Sequence, residues 1–176
     1  MKKSIVGIFV GTAVLFVWGA ISWMALPWHN MTMKKIGNEP EFAQYVIHNF
    51  GSGGVYFMPS TPHAMGGPMV LASIAPEGAR PMGQAMAIAM LIQIAAAFLV
   101  SFLVYEGNVR KYRDRVGCVV VFALAAGFVC FLPNWNWWCF PTQYTIVNMM
   151  DLVIGWFLAG LAIAKIVAPD SAAGQP

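Results

Sequence analysis

The sequence predicts an all-α integral membrane protein. Four transmembrane helices form two hairpins, and an ordered extracytoplasmic loop cap carries a short amphipathic helix. Three observations predict this. Of 176 residues, 59% are hydrophobic and only 10% charged, with mean hydropathy +0.67. A soluble domain averages about 45–50% apolar and about 25% charged residues. Charge is absent from three long windows: Lys3 to Lys34, Arg80 to Glu106, and Arg115 to Asp151. Cations crowd instead into the short segment 106–115, where Arg110, Lys111, Arg113 and Arg115 stand together. This composition excludes a water-soluble enzyme, a disordered chain and a disulfide-stapled secreted fold.

The spans follow from length. A bilayer core of about 30 Å needs roughly 20 helical residues. Apolar runs over 4–26, 82–105 and 145–167 meet this comfortably. The third window splits at Pro133, which gives a shorter span over 116–133. In hydrocarbon every backbone polar group must be paired within the segment, so the runs are helices. The first run follows Lys2 and Lys3 as a signal peptide does, but it is too long and lacks a small-x-small end. It reads as an uncleaved span. The chain forms one membrane domain, 1–176.

Orientation follows from Lys and Arg. With the N-terminus inside, the inner segments hold seven of these cations and the outer segments three. Segment 106–115 is then a cytoplasmic loop, both termini are cytoplasmic, and 27–81 lies outside. Trp18, Trp23, Trp28, Trp135, Trp137 and Trp138 mark the outer interface. A bacterial inner membrane fits this compact plan and the Lys-Lys start.

Within the outer loop, Asn38 followed three residues later by Glu41, with Pro40 in the first turn, reads as a helix start. Phe42, Tyr45, Val46 and Phe50 then recur at helical spacing, and Gly51 ends the run. Residues 53–58 suit a brief extended segment. Pro and Gly are so dense over 59–81 that no regular structure is expected there.

Small residues mark helix-packing faces. Gly7 and Gly11 have the Gly-x-x-x-Gly spacing, and Gly155 lies on a small face of the fourth span. Such faces serve packing within the chain or against another chain.

Two constellations bear chemistry. Asp151 is the one acid within an expected span, and a carboxylate in hydrocarbon needs a partner or a role. Asn148, Asp151 and Gly155 share a helix face, and Gln93 on the second span is a plausible neighbour. The functional reading is a proton or cation site; the bland one is an acid tied to Gln93 or to loop amides. The second constellation lies in the loop. His29, Met31 and Met33 alternate, as do His63 and Met65, with Met69 nearby. On an extended backbone i and i+2 face one side, and thioethers with imidazole suit Cu(I). Against this, Lys34 and Lys35 adjoin the first cluster, and methionine is common core filler. No histidine falls within an expected span, and no catalytic motif is found. Cys130 and Cys139 both approach the outer face and are candidates to pair, although three free thiols are expected.

The leading expectation is therefore a non-catalytic protein. It is a subunit or assembly partner of a membrane complex, or a homo-oligomer, whose partners are the bilayer and other membrane subunits, with no nucleic acid. No cofactor is expected. The alternatives are copper binding or delivery through the His/Met cluster, and ion- or proton-coupled transport using Asp151.

Overall fold

A computed structural model describes residues 2–60 and 67–167. The chain is a multi-pass membrane protein: four helices are long and apolar enough to cross a bilayer. In chain order they are α1 (Lys2–Ala20, prolonged by a π-helical turn, Ile21–Ala25), α4 (Met82–Glu106), α5 (Tyr112–Trp137) and α6 (Thr142–Ile166). Between α1 and α4 lie α2 (Trp28–Thr32), α3 (Glu39–Asn49) and the strands β1 (Gly54–Met58) and β2 (Val70–Ile74).

The long helices run in the spatial order α4, α1, α6, α5, with little contact between α4 and α5. The first helix of the chain thus lies between the second and the fourth spans. Glycine makes this possible. A Cβ on Gly11 would meet Ile163 Cδ1 at 2.7 Å, and one on Gly155 would meet Trp18 Cδ1 at 2.8 Å. A Cβ on Gly7 would run into Val167. The three predicted packing glycines therefore all serve α1 against α6 inside one chain. Val100, Val104, Val119, Ala123, Trp156, Ala159 and Ile163 form the buried centre. Large apolar residues such as Phe9, Leu91, Phe98, Val121 and Val129 remain exposed on the outside of the bundle. That distribution suits hydrocarbon as solvent.

Two expected boundaries move. Pro133 does not end its helix: α5 continues to Trp137. Proline forfeits the ladder bond to Val129 O, and the helix has only four residues to run beyond it, so the chain continues to Trp137 without a further break. Termination falls to Cys139, whose φ of 54° turns the chain left-handed, while Trp138 N and Phe140 N both donate to Asn134 O. α6 begins at Thr142, earlier than the apolar run, because Pro141 leads directly into it and Trp135 Nε1 donates to Thr142 Oγ1 at 3.1 Å.

The segment between α1 and α4 also differs from expectation in one element. α3 starts where Asn38 predicts, with Asn38 Oδ1 accepting from Glu41 N and Asn38 Nδ2 donating to Glu41 Oε2 at 2.8 Å. No residue of α3 is buried. Regular structure does form in the Pro/Gly-rich stretch: β2 pairs antiparallel with β1, from Gly54 opposite Ile74 to Met58 opposite Val70. Val70-Leu71-Ala72-Ser73-Ile74 is a short window free of proline and glycine, rich enough in β-branched residues to pair once β1 supplies a partner.

At the opposite end of the bundle Arg115 is buried. Its Nε donates to Ala164 O at 2.8 Å, and its Nη1 to Val109 O at 3.1 Å and to Arg110 O. A cation on the last carbonyls of α6 satisfies groups that the helix leaves unpaired.

Candidate functional site

The site begins with a change of helical pitch. After Ala20 the chain widens to one π-helical turn, closed by Leu26 N donating to Ile21 O at 3.1 Å. Pro27 then cannot continue the ladder, and Leu26 is forced extended at φ −90°, ψ 138°. The chain doubles back into α2, which packs on the start of α6. That reversal drives His29 down beside the bundle.

His29 is 1% exposed. It lies outside every span, as the sequence predicts, and the Pro27 reversal buries it against α6. Its ring stacks on Trp23 with centroids 3.9 Å apart and meets Trp28 edge-on at 5.6 Å. His29 Nε2 lies 3.1 Å from Ser22 Oγ and 3.4 Å from Asp151 Oδ2. Ser22, fully buried, also accepts from Trp28 Nε1, on its carbonyl and on Oγ, at 3.1 and 3.0 Å. Asp151 is reached from the other side by Trp18 Nε1, at 2.7 Å to Oδ1 and 3.2 Å to its carbonyl oxygen. Asp151 follows Thr142 by nine residues, which places it about 13 Å along α6.

Hydrogen accounting constrains the tautomer of the neutral imidazole. His29 Nδ1 is buried and has no partner. A bare ring nitrogen in that position costs less than an unpaired N–H. The proton is therefore assigned to Nε2, which points between Ser22 Oγ and Asp151 Oδ2. Asp151 Oδ1 accepts from Trp18 Nε1, Oδ2 lies 3.4 Å from His29 Nε2, and no Lys or Arg is among its described partners. This is not a nucleophilic triad. Serine and carboxylate compete for the same imidazole nitrogen, whereas acyl transfer needs one on each.

Beside Asp151 opens a cavity of about 370 Å³ between α1, α4 and α6. Trp18, Trp23 and Trp156 supply aromatic walls, and Asp151 and Gln93 supply polar atoms. Gln93 Oε1 is buried without a hydrogen-bond partner.

The predicted site residues thus separate. Asp151 and Gln93 share one cavity. Asn148 takes no part in the hydrogen-bonded cluster, because its Nδ2 donates to Tyr144 O of its own helix at 2.7 Å. Residues 28–32 are helical rather than extended, so His29 and Met31 face different ways: His29 inward, Met31 78% exposed. Met33 and Met69 are also exposed, while His63 and Met65 lie outside the described residues. Among the described residues no group of three or more His, Cys, Asp or Glu side chains is placed to hold a metal. Cys118, Cys130 and Cys139 are free thiols. Sequence reasoning missed Ser22 and His29 as partners of Asp151. The usable signal was Pro27 followed at once by Trp28 and His29, which marks a return into the interface rather than an exit.

Comparison with protein-family models, curated sequences and solved structures finds no match for the chain.

Proposed function

We propose that the protein is an ion-coupled membrane transporter in which Asp151 is the proton- or cation-binding carboxylate and His29 its partner. One observation carries the reading: Asp151 lies within a membrane-spanning helix, bordering a cavity, and its described hydrogen-bond and ion-pair partners are the neutral Trp18 indole and the His29 imidazole. A carboxylate away from water and without a counter-charge takes up a proton or a cation. The distribution of Lys and Arg supports an orientation with this end of the bundle outside an inner membrane and both termini in the cytoplasm. In that orientation the site loads from the outer face.

The test is proton movement in liposomes containing a pH-sensitive dye. Wild-type protein is expected to dissipate an imposed pH gradient faster than Asp151→Asn, which should match protein-free vesicles. Equal rates in all three overturn the reading.

A second reading, a subunit of a larger membrane complex, draws on a different observation. No residue of α3 is buried, and Val55, Phe57 and Val70 of the hairpin are all exposed. The packing glycines no longer argue for it, since they are used within the chain. Purification in mild detergent followed by mass spectrometry should then recover a companion in stoichiometric amount. Recovery of the chain alone removes this reading.

A further inference from the structure

We infer that the cavity beside Asp151 binds a protonated lipophilic amine, held by Asp151 and Gln93 and enclosed by Trp18, Trp23 and Trp156. This deepens the proposed function, resting on Asp151 as the cation-binding group and naming the chemical class of what it takes.

Four features of the cavity converge on that class. The first is charge. Asp151 Oδ1 accepts from Trp18 Nε1 at 2.7 Å and Oδ2 lies 3.4 Å from His29 Nε2, and no Lys or Arg is among the described partners of this carboxyl group. The second is the wall. Three indoles border one small space, and an indole face is the best aromatic surface for a cation. The third is Gln93. Its Oε1 is buried and unpartnered, an acceptor without a donor. The side chain lines the cavity, and a rotation of the amide presents an acceptor to a ligand N–H there. A quaternary ammonium would satisfy the carboxylate and the indoles but not this amide. A protonated amine satisfies all of them. The fourth is access. Ile92 and Trp23 line the cavity and are 62% and 48% exposed on the apolar outside of the bundle, so the mouth opens toward hydrocarbon. A ligand arriving by that route must be soluble in lipid. The cavity volume, about 370 Å³, sits at the small end of the range for ligand sites. It suits one aromatic ring with a short amine arm.

Proton and amine then compete for one carboxylate. The amine brings its own proton on nitrogen and binds when Asp151 is ionised; a proton on Asp151 removes the counter-charge and releases it.

The experiment uses the full chain in non-ionic maltoside micelles, titrated with N,N-dimethylbenzylamine and separately with benzyltrimethylammonium. Binding is read by tryptophan fluorescence and by calorimetry. Both probes should bind saturably, the amine about tenfold tighter because it alone can donate to Gln93. Gln93→Leu should erase that preference while leaving benzyltrimethylammonium binding unchanged. Asp151→Asn should weaken both probes by about tenfold or more. Absence of saturable binding to the wild-type chain overturns the inference, as does a preference that survives Gln93→Leu. The matched probe pair on the wild-type chain decides the matter even if Asp151→Asn does not fold. Failure of the inference is separable from failure of the proposed function. If neither probe binds yet liposome proton flux still depends on Asp151, only the amine is wrong. If that flux is also absent, the reading beneath it falls.

Discussion

The two ends of the helix bundle each draw a charged side chain inward, Arg115 buried and Asp151 partly buried, and they treat it in opposite ways. Arg115 is enclosed by backbone carbonyls from two segments, its guanidinium donating to Ala164, Val109 and Arg110. Asp151 receives one indole N–H and lies 3.4 Å from an imidazole nitrogen, next to an amide oxygen without a partner among the described residues and an open cavity. A charge whose hydrogen-bonding capacity is met by carbonyls is a lock; removing it leaves acceptors stranded. A charge with spare capacity beside a cavity is what the proposed binding role needs. The same bilayer penalty applies to both, so the difference lies in how completely each is answered.

The contrast can be broken or sharpened by substitution. The largest loss of stability is expected for Arg115→Ala. It strands the α6 carbonyl and frees the 107–111 turn, at about 3 kcal/mol, read as a fall in thermal midpoint in micelles. A variant as stable as wild type would remove the lock from the comparison. Next comes His29→Ala. It empties a fully buried ring site and takes one of two donors from Asp151, at about 2 kcal/mol, measured in the same way. Asp151→Asn should cost about 1 kcal/mol or less, since the amide keeps the Trp18 bond and fills the same space. Its signature is elsewhere: dissipation of an imposed pH gradient in liposomes should fall to the rate of protein-free vesicles. An unchanged rate in this variant would show that Asp151 is not the group that moves the proton. The smallest effect belongs to Met31→Ser with Met33→Ser. Both side chains are exposed, so the pair should shift stability by about 0.5 kcal/mol or less and leave Cu(I) retention, read by metal analysis, at the level of the unaltered chain. A clear loss of bound copper would instead restore the thioether cluster as a site.

Much of this was legible in the amino-acid order, because lipid imposes a simple rule. Uncharged windows of sufficient length had to be helices, and their number follows from hydropathy alone. Asp151 stood out for being an acid in such a window. Its true partner did not, because His29 is 122 residues away and reaches it only after a π turn and a proline-enforced reversal. Those are local deviations whose result is non-local. Pro133 misled in the opposite sense. Its meaning depends on distance from the helix end, which hydropathy does not give. The β2 pairing was hidden for a third reason: a strand of five residues acquires its stability from its neighbour, and composition across a wider window drowns it.

The placement of α1 between α4 and α6 has a consequence for biogenesis. Synthesis runs from the N-terminus, so α1 enters the bilayer long before the helix it must grip has been made. Through that interval Trp18 has no carboxylate to donate to, and Gly7 and Gly11 present an unfilled groove to lipid. The contacts of Trp18 and His29 with Asp151 can form only when α6, the last of the four spans, arrives. With Cys118, Cys130 and Cys139 replaced by serine, ribosome-bound chains stopped before residue 142 should therefore leave a cysteine in place of Leu15, which packs beside Gly155, open to a membrane-permeant thiol reagent, and chains carried past residue 167 should shield it.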